Sequence, residues 1–144
     1  MKIILSLLLL LPFLAYACGD GKTSELTPFA KVDHTVEQNG QSFYEVFIPS
    51  KHSEYFLTSL DLSLPSSLLV ELDVIRAFGY GGFDSVSFFL NPELLDVIKL
   101  TALYSSNEDR TEFVLCGKAI ELNLKGMLLA DQPEMIIPPP PSLD

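Results

Sequence analysis

The sequence predicts a mainly β fold, a small antiparallel β-sandwich of about six to eight strands with at most one short helix, a small β-barrel being the alternative. Three observations predict it. Apolar and polar residues alternate in several short stretches, the period that gives a strand one buried and one solvated face. Clusters of Pro, Gly and Ser separate those stretches, as turns do. No helix-then-strand alternation occurs that would build a parallel sheet, and there is no internal repeat.

The elements follow in order from Gln41. Tyr44, Val46 and Ile48 alternate with Phe43, Glu45 and Phe47. Leu60, Leu62 and Leu64 alternate with Ser59, Asp61 and Ser63 until Pro65-Ser66-Ser67 breaks the pattern. A strand from Leu68 to Phe78 carries Val70, Leu72 and Val74 opposite Glu71 and Asp73. Gly79-Tyr80-Gly81-Gly82 then turns the chain, because glycine takes positive φ without steric cost. Val86, Phe88 and Leu90 form the next buried face. Asn91 as cap, Pro92 as first residue and Glu93 in the first turn predict one helical turn over 92–95. A strand follows through Ile98, Leu100, Ala102 and Tyr104. Thr111 to Leu124 reads as a strand pair or one bent strand with a bulge or bend at Gly117, and Lys125 to Glu134 as a last edge. Pro138 to Pro141 cannot join a ladder and ends the chain as a polyproline tail.

Before the domain lies a different kind of sequence. Met1-Lys2 precedes an apolar run from Ile3 to Leu14, interrupted only by Ser6 and Pro12. The uncharged stretch ends at Ala17, short of the roughly 20 residues that span a bilayer. A basic start, a short apolar run and small residues at its end make residues 1–17 an export signal. Ala15-Tyr16-Ala17 suits ordinary signal peptidase. Leu14-Ala15-Tyr16-Ala17-Cys18 also resembles the lipobox of bacterial lipoprotein precursors, although Ala15 and Tyr16 stand where that family more often has Leu and a small residue. The resemblance covers about the first 20 residues. It implies cleavage between Ala17 and Cys18, a diacylglyceryl group on the Cys18 sulfur and attachment to a membrane of the bacterial envelope. Gly19, rather than Asp, after the cysteine resembles the outer-membrane default of enterobacterial lipoproteins. The alternative is a disulfide from Cys18 to Cys116 in a soluble periplasmic or secreted protein.

The organisation that follows is a signal peptide over 1–17, a polar tether over 18–31, a β domain over 32–134 and a Pro-rich tail over 135–144. As a flexible chain the tether spans roughly 20 Å.

The whole chain carries a net charge of −10, and loss of Lys2 with the leader makes the mature part −11. Such a chain cannot neutralise phosphates, which excludes nucleic acid as partner. It favours a basic protein partner over an anionic lipid surface, although an acidic surface ordinarily serves only solubility, and that plainer reading comes first. No cysteine or histidine spacing suits a metal, and no cofactor is expected.

Several stretches are candidates for chemistry. Phe78, Tyr80 and Phe83 on the glycine-rich loop are the candidate binding residues, since aromatics dominate binding hot spots. The competing reading folds them back on the core. The loop lacks the lysine of a phosphate loop. His52-Ser53-Glu54 groups a base, a hydroxyl and a carboxylate, but neighbours on a strand face opposite ways, and no nucleophile elbow is present. Asp61, Glu71 and Asp73 sit at the polar phase of strands, where solvation explains them. The expected function is therefore a binding or scaffolding envelope lipoprotein, not an enzyme. The alternatives are an inhibitor or immunity-type protein against a basic toxin or enzyme and, behind it, a small hydrolase using His34 or His52.

Overall fold

A computed structural model describes residues 26–106 and 117–137. Nine antiparallel strands form two sheets over these residues. They are β1 (Phe29–Gln38), β2 (Gln41–Pro49), β3 (Lys51–His52), β4 (Tyr55–Ser63), β5 (Leu69–Leu72), β6 (Ile75–Arg76), β7 (Phe83–Leu90), β8 (Lys99–Ser105) and β9 (Gly117–Leu122). The first sheet has the order β1-β2-β7-β6. In the second, β4-β8-β9 run side by side, and β3 and β5 occupy successive stretches of the free edge of β4. The result is the expected sandwich; the count exceeds the expectation because β3 and β6 are only two residues long.

The alternation read from the sequence selects the core. Tyr44, Val46 and Ile48 of β2 and Val86 and Phe88 of β7 meet Leu60, Leu62, Leu100, Ala102 and Tyr104 of the second sheet in one buried cluster. Each large apolar side chain fully buried there contributes about 1.5–3 kcal/mol. The helical turn is a 3₁₀ turn over Pro92–Leu94, with the Asn91 side chain accepting from Glu93 N at 3.0 Å.

Other expectations are corrected. The tether expected as far as Lys31 is shorter: Phe29, Ala30 and Lys31 already belong to β1, because Phe29 and Ala30 are buried against the sheet. β1 and β2 are joined at Asn39-Gly40, both at positive φ (54° and 75°), the two-residue turn whose twist matches a hairpin. The single strand expected over Leu68–Phe78 is two. β5 pairs with β4 and β6 with β7, so the chain crosses between sheets at Asp73-Val74, and buried Val74 fills the crossing. Gly117 is no bulge within the described residues; it opens β9 in regular register opposite Ser105. The register shifts lie instead at Asp33/Glu37 and Leu57/Ser59.

The last edge strand expected over Lys125–Glu134 is absent. Its first part is a helix, α1 (Leu124–Leu129). The Asn123 side chain caps it, accepting from Gly126 N at 2.8 Å. Leu124 and Met127, three apart on one helical face, are buried in the core. Replacing Asn123 with Ala is expected to cost about 1 kcal/mol, read as a lowered midpoint in urea unfolding. Among the described residues no helix is long and apolar enough to cross a membrane.

Candidate functional site

A second, smaller apolar cluster lies on the outer face of the first sheet. Phe29 of β1 is directly opposite Phe47 of β2, and their rings stack at 4.6 Å. This face would be solvated in a simple sandwich. It is covered because the loop between β6 and β7 folds over it. Ala77 N donates to Phe83 O (3.1 Å) and Phe83 N to Tyr80 O (3.2 Å), closing the loop. Gly79 and Gly82 take positive φ (78° and 83°) within it. Tyr80 lands edge-on against Phe47 (5.0 Å) and Phe29 (5.2 Å).

The three candidate aromatics therefore separate. Tyr80 is buried, and Phe83 is half-buried with its ring edge-on to Phe29 at 5.4 Å. Phe78 stands in solvent at 80% exposure. Lys31, which the sequence reading did not single out, runs across the cluster. Its ammonium lies 4.6 Å from the Tyr80 ring centre and 5.3 Å from that of Phe47, and donates to the Tyr80 hydroxyl at 2.5 Å. Two aromatic faces and a hydroxyl thus hold one cation.

The chain that follows α1 returns to the same loop. Ala130 packs against the Phe29–Phe47–Tyr80 cluster. Ile136 N donates to Gly79 O at 3.0 Å. A Cβ on Gly79 would stand 2.8 Å from Met135 Cγ. Gly79→Ala is therefore expected to combine left-handed backbone strain with a clash against Met135, costing roughly 1–2 kcal/mol. Increased protease cleavage near Met135 would register the loosening; an unchanged unfolding midpoint would refute it.

The histidines lie apart from this face. His34 is exposed on β1. His52 is buried near the end of β8, its ring 5.7 Å from that of Tyr104. Its Nε2 is 3.3 Å from Lys118 Nζ. An ammonium has only hydrogens to give, so the imidazole nitrogen accepts. Burial and then the Lys118 charge push the His52 pKa below its ordinary value. The arrangement a hydrolase needs has a carboxylate beside the histidine to orient it; the partner here is a cation. Tyr104 donates to Pro49 O at 2.8 Å, and burial raises its pKa strongly, with Asp84 adding to the rise.

Asp61 and Glu71 face each other directly across β4 and β5. Thr101 and Glu121 continue the same row across β8 and β9, so the outer side of the second sheet carries a transverse acidic row. Like charges directly opposite one another weaken a sheet. Glu71→Lys is therefore expected to stabilise the domain by about 0.5 kcal/mol, an increment that should shrink as salt is added. Asp73 stands apart at the crossing between sheets. A cleft of about 390 Å³ beside this row is flanked by the ion pairs Lys125–Asp96 (2.8 Å) and Lys99–Glu121 (3.8 Å). Among the described residues no group of three His, Cys, Asp or Glu side chains is placed to hold a metal. Ala17, Cys18, Cys116 and Pro138–Pro141 lie outside the described residues.

Comparison with protein-family models, with curated proteins and with solved structures finds no match for this chain.

Proposed function

We propose that the chain is the precursor of a lipid-anchored lipoprotein of the bacterial envelope, whose β-sandwich acts by binding or scaffolding in the periplasm or at the cell surface. The observation that carries this reading is Leu14-Ala15-Tyr16-Ala17-Cys18 at the end of an apolar leader, close before a folded domain. Cys18 is eight residues from Leu26, which packs on the core. Eight residues reach at most roughly 28 Å even fully extended, so an anchor on Cys18 would hold the sandwich near the bilayer. Gly19 favours the outer membrane over the inner.

Intact-mass analysis of the membrane fraction tests the reading. The expected species starts at Cys18 and carries added diacylglyceryl mass. A soluble chain with a Cys18–Cys116 bridge and no added mass would overturn it. A second reading, an inhibitor or immunity-type protein that covers a basic toxin or enzyme, draws on the acidic row through Glu71, Asp61 and Glu121. Its mark would be co-purification with a basic partner that is lost in high salt; salt-indifferent binding would count against it.

A further inference from the structure

We infer that the domain rests on the bilayer through an apolar patch beside the tether, made by Phe78, Leu129, Met135, Ile136 and Ile137. The inference deepens the lipoprotein reading and rests on it.

The patch collects exposed apolar residues from segments that the fold ties together. Phe78 is 80% exposed, Leu129 83%, Ile136 74% and Ile137 71%, with Met135 also in solvent. The segment over 135–137 meets the loop that carries Phe78 at Gly79. Phe78 adjoins Gly79, whose carbonyl accepts from Ile136 N. Leu129 adjoins Ala130, which packs on the cluster of Phe29, Phe47 and Tyr80. Single exposed apolar residues are ordinary, whereas a group of them marks an interaction site.

The position of the patch identifies its occupant. Phe29, the first residue of β1, contacts Tyr80 at 5.2 Å. The chain leading to Cys18 joins the domain at Leu26, which packs on the main core, three residues before Phe29 and so at the end of β1 that seats the loop carrying Phe78. A short tether brings this end of the sandwich to the membrane and leaves the outer side of the second sheet, with its acidic row, facing elsewhere. Phe, Leu, Ile and Met side chains transfer favourably into the headgroup–acyl boundary. The two acyl chains of a diacylglyceryl group already suffice for stable attachment, so the patch would fix how the domain lies on the bilayer and not whether it stays there. The charge of −11 on the mature part, that is −10 less the Lys2 lost with the leader, argues that the contact is with apolar lipid and not with anionic headgroups.

The chain contains no Trp, so a single introduced Trp reports its own surroundings. The mature lipoprotein bearing Phe78→Trp is reconstituted in phosphatidylcholine vesicles with and without brominated acyl chains. Ile137→Trp serves as a second reporter. Leu69→Trp, on β5 of the second sheet and 61% exposed, is the solvent control. The expected result is blue-shifted emission and loss of fluorescence to brominated lipid at positions 78 and 137 but not at 69. Unshifted, unquenched emission at 78 and 137, in protein whose mass shows lipid on Cys18, would overturn the patch and leave the anchor standing. A blue shift without bromine quenching would mean that a second copy or another protein covers the patch, and would also overturn it. Quenching at 78 and 137 without lipid mass on Cys18 would uphold the lipid contact and overturn the anchor.

Discussion

Phe47→Ala is expected to destabilise the domain by about 3–5 kcal/mol, the usual cost of emptying a buried phenylalanine site. Phe47 lies on the side of β2 that faces away from the main core, yet it is almost wholly buried. Its ring stacks on Phe29 and receives the edge of Tyr80, and the Lys31 ammonium lies over it. Removing it takes a ring partner from Phe29 and Tyr80 and an aromatic face from Lys31 at once. The loop over 77–82 would lose its seat, and the segment tied to Gly79 O would lose its attachment. Urea unfolding measures the loss. Phe78→Ala provides the contrast, because an 80% exposed side chain should change stability by less than about 0.5 kcal/mol. Equal effects from the two substitutions would show that the cluster does not hold the loop.

The second large effect concerns acid. His52 has its pKa lowered in the folded state, first by burial and then by Lys118. Below about pH 6.5 the unfolded chain takes up the imidazole proton before the folded one does. The unfolded state then binds more protons, so stability falls as pH falls. The loss starts near the ordinary histidine value and is complete below the lowered folded value. Each pKa unit separating the two states corresponds to about 1.4 kcal/mol. Protonation would also set two cations 3.3 Å apart. His52→Gln offers Lys118 an acceptor that does not titrate. The difference in urea midpoint between wild type and variant should therefore change between pH 7 and pH 4.5, with wild type losing more. A constant difference across that range would remove His52 from the explanation. At the alkaline end the sign reverses. Tyr104 has its pKa raised, so stability contributed by its neutral hydroxyl is lost as pH rises past the unfolded tyrosine value near 10.

The strands that alternate cleanly, β2, β4, β7 and β8, were legible, because period two with Tyr44, Val46, Leu60, Val86 or Leu100 on one phase leaves one way to bury them. The 3₁₀ turn was legible from Asn91, Pro92 and Glu93. β1 was not: only its first residues are buried, and from Asp33 its strand is irregular. Asn39-Gly40 was the signal that would have revealed the hairpin. α1 was missed because six residues hold too few turns for a helical period to stand out, although Asn123 as cap and Leu124 and Met127 at helical spacing were there to read. At the aromatic loop, composition picked out Phe78, Tyr80 and Phe83 but could not divide them. Which ring packs and which is exposed depends on Phe29 and Phe47, distant in sequence and brought beneath the loop only when the first sheet forms.

The short strands β3 and β6 have a further consequence. Long, unpaired strand edges recruit other chains. β6 ends the first sheet with two residues, and β3 and β5 divide the free edge of β4 into pieces of two and four. On β1, the opposite margin of the first sheet, the Asp33 carboxylate accepts from Thr35 N (2.8 Å) and Thr35 Oγ1 (2.6 Å) at the register shift, turning it inward on its own chain. Proteins held on a membrane diffuse in two dimensions and meet their copies far more often than in solution. Three of the four margins among the described residues are broken in this way, β9 being the regular one, and such breaks would limit strand-to-strand recruitment between copies crowded on one surface.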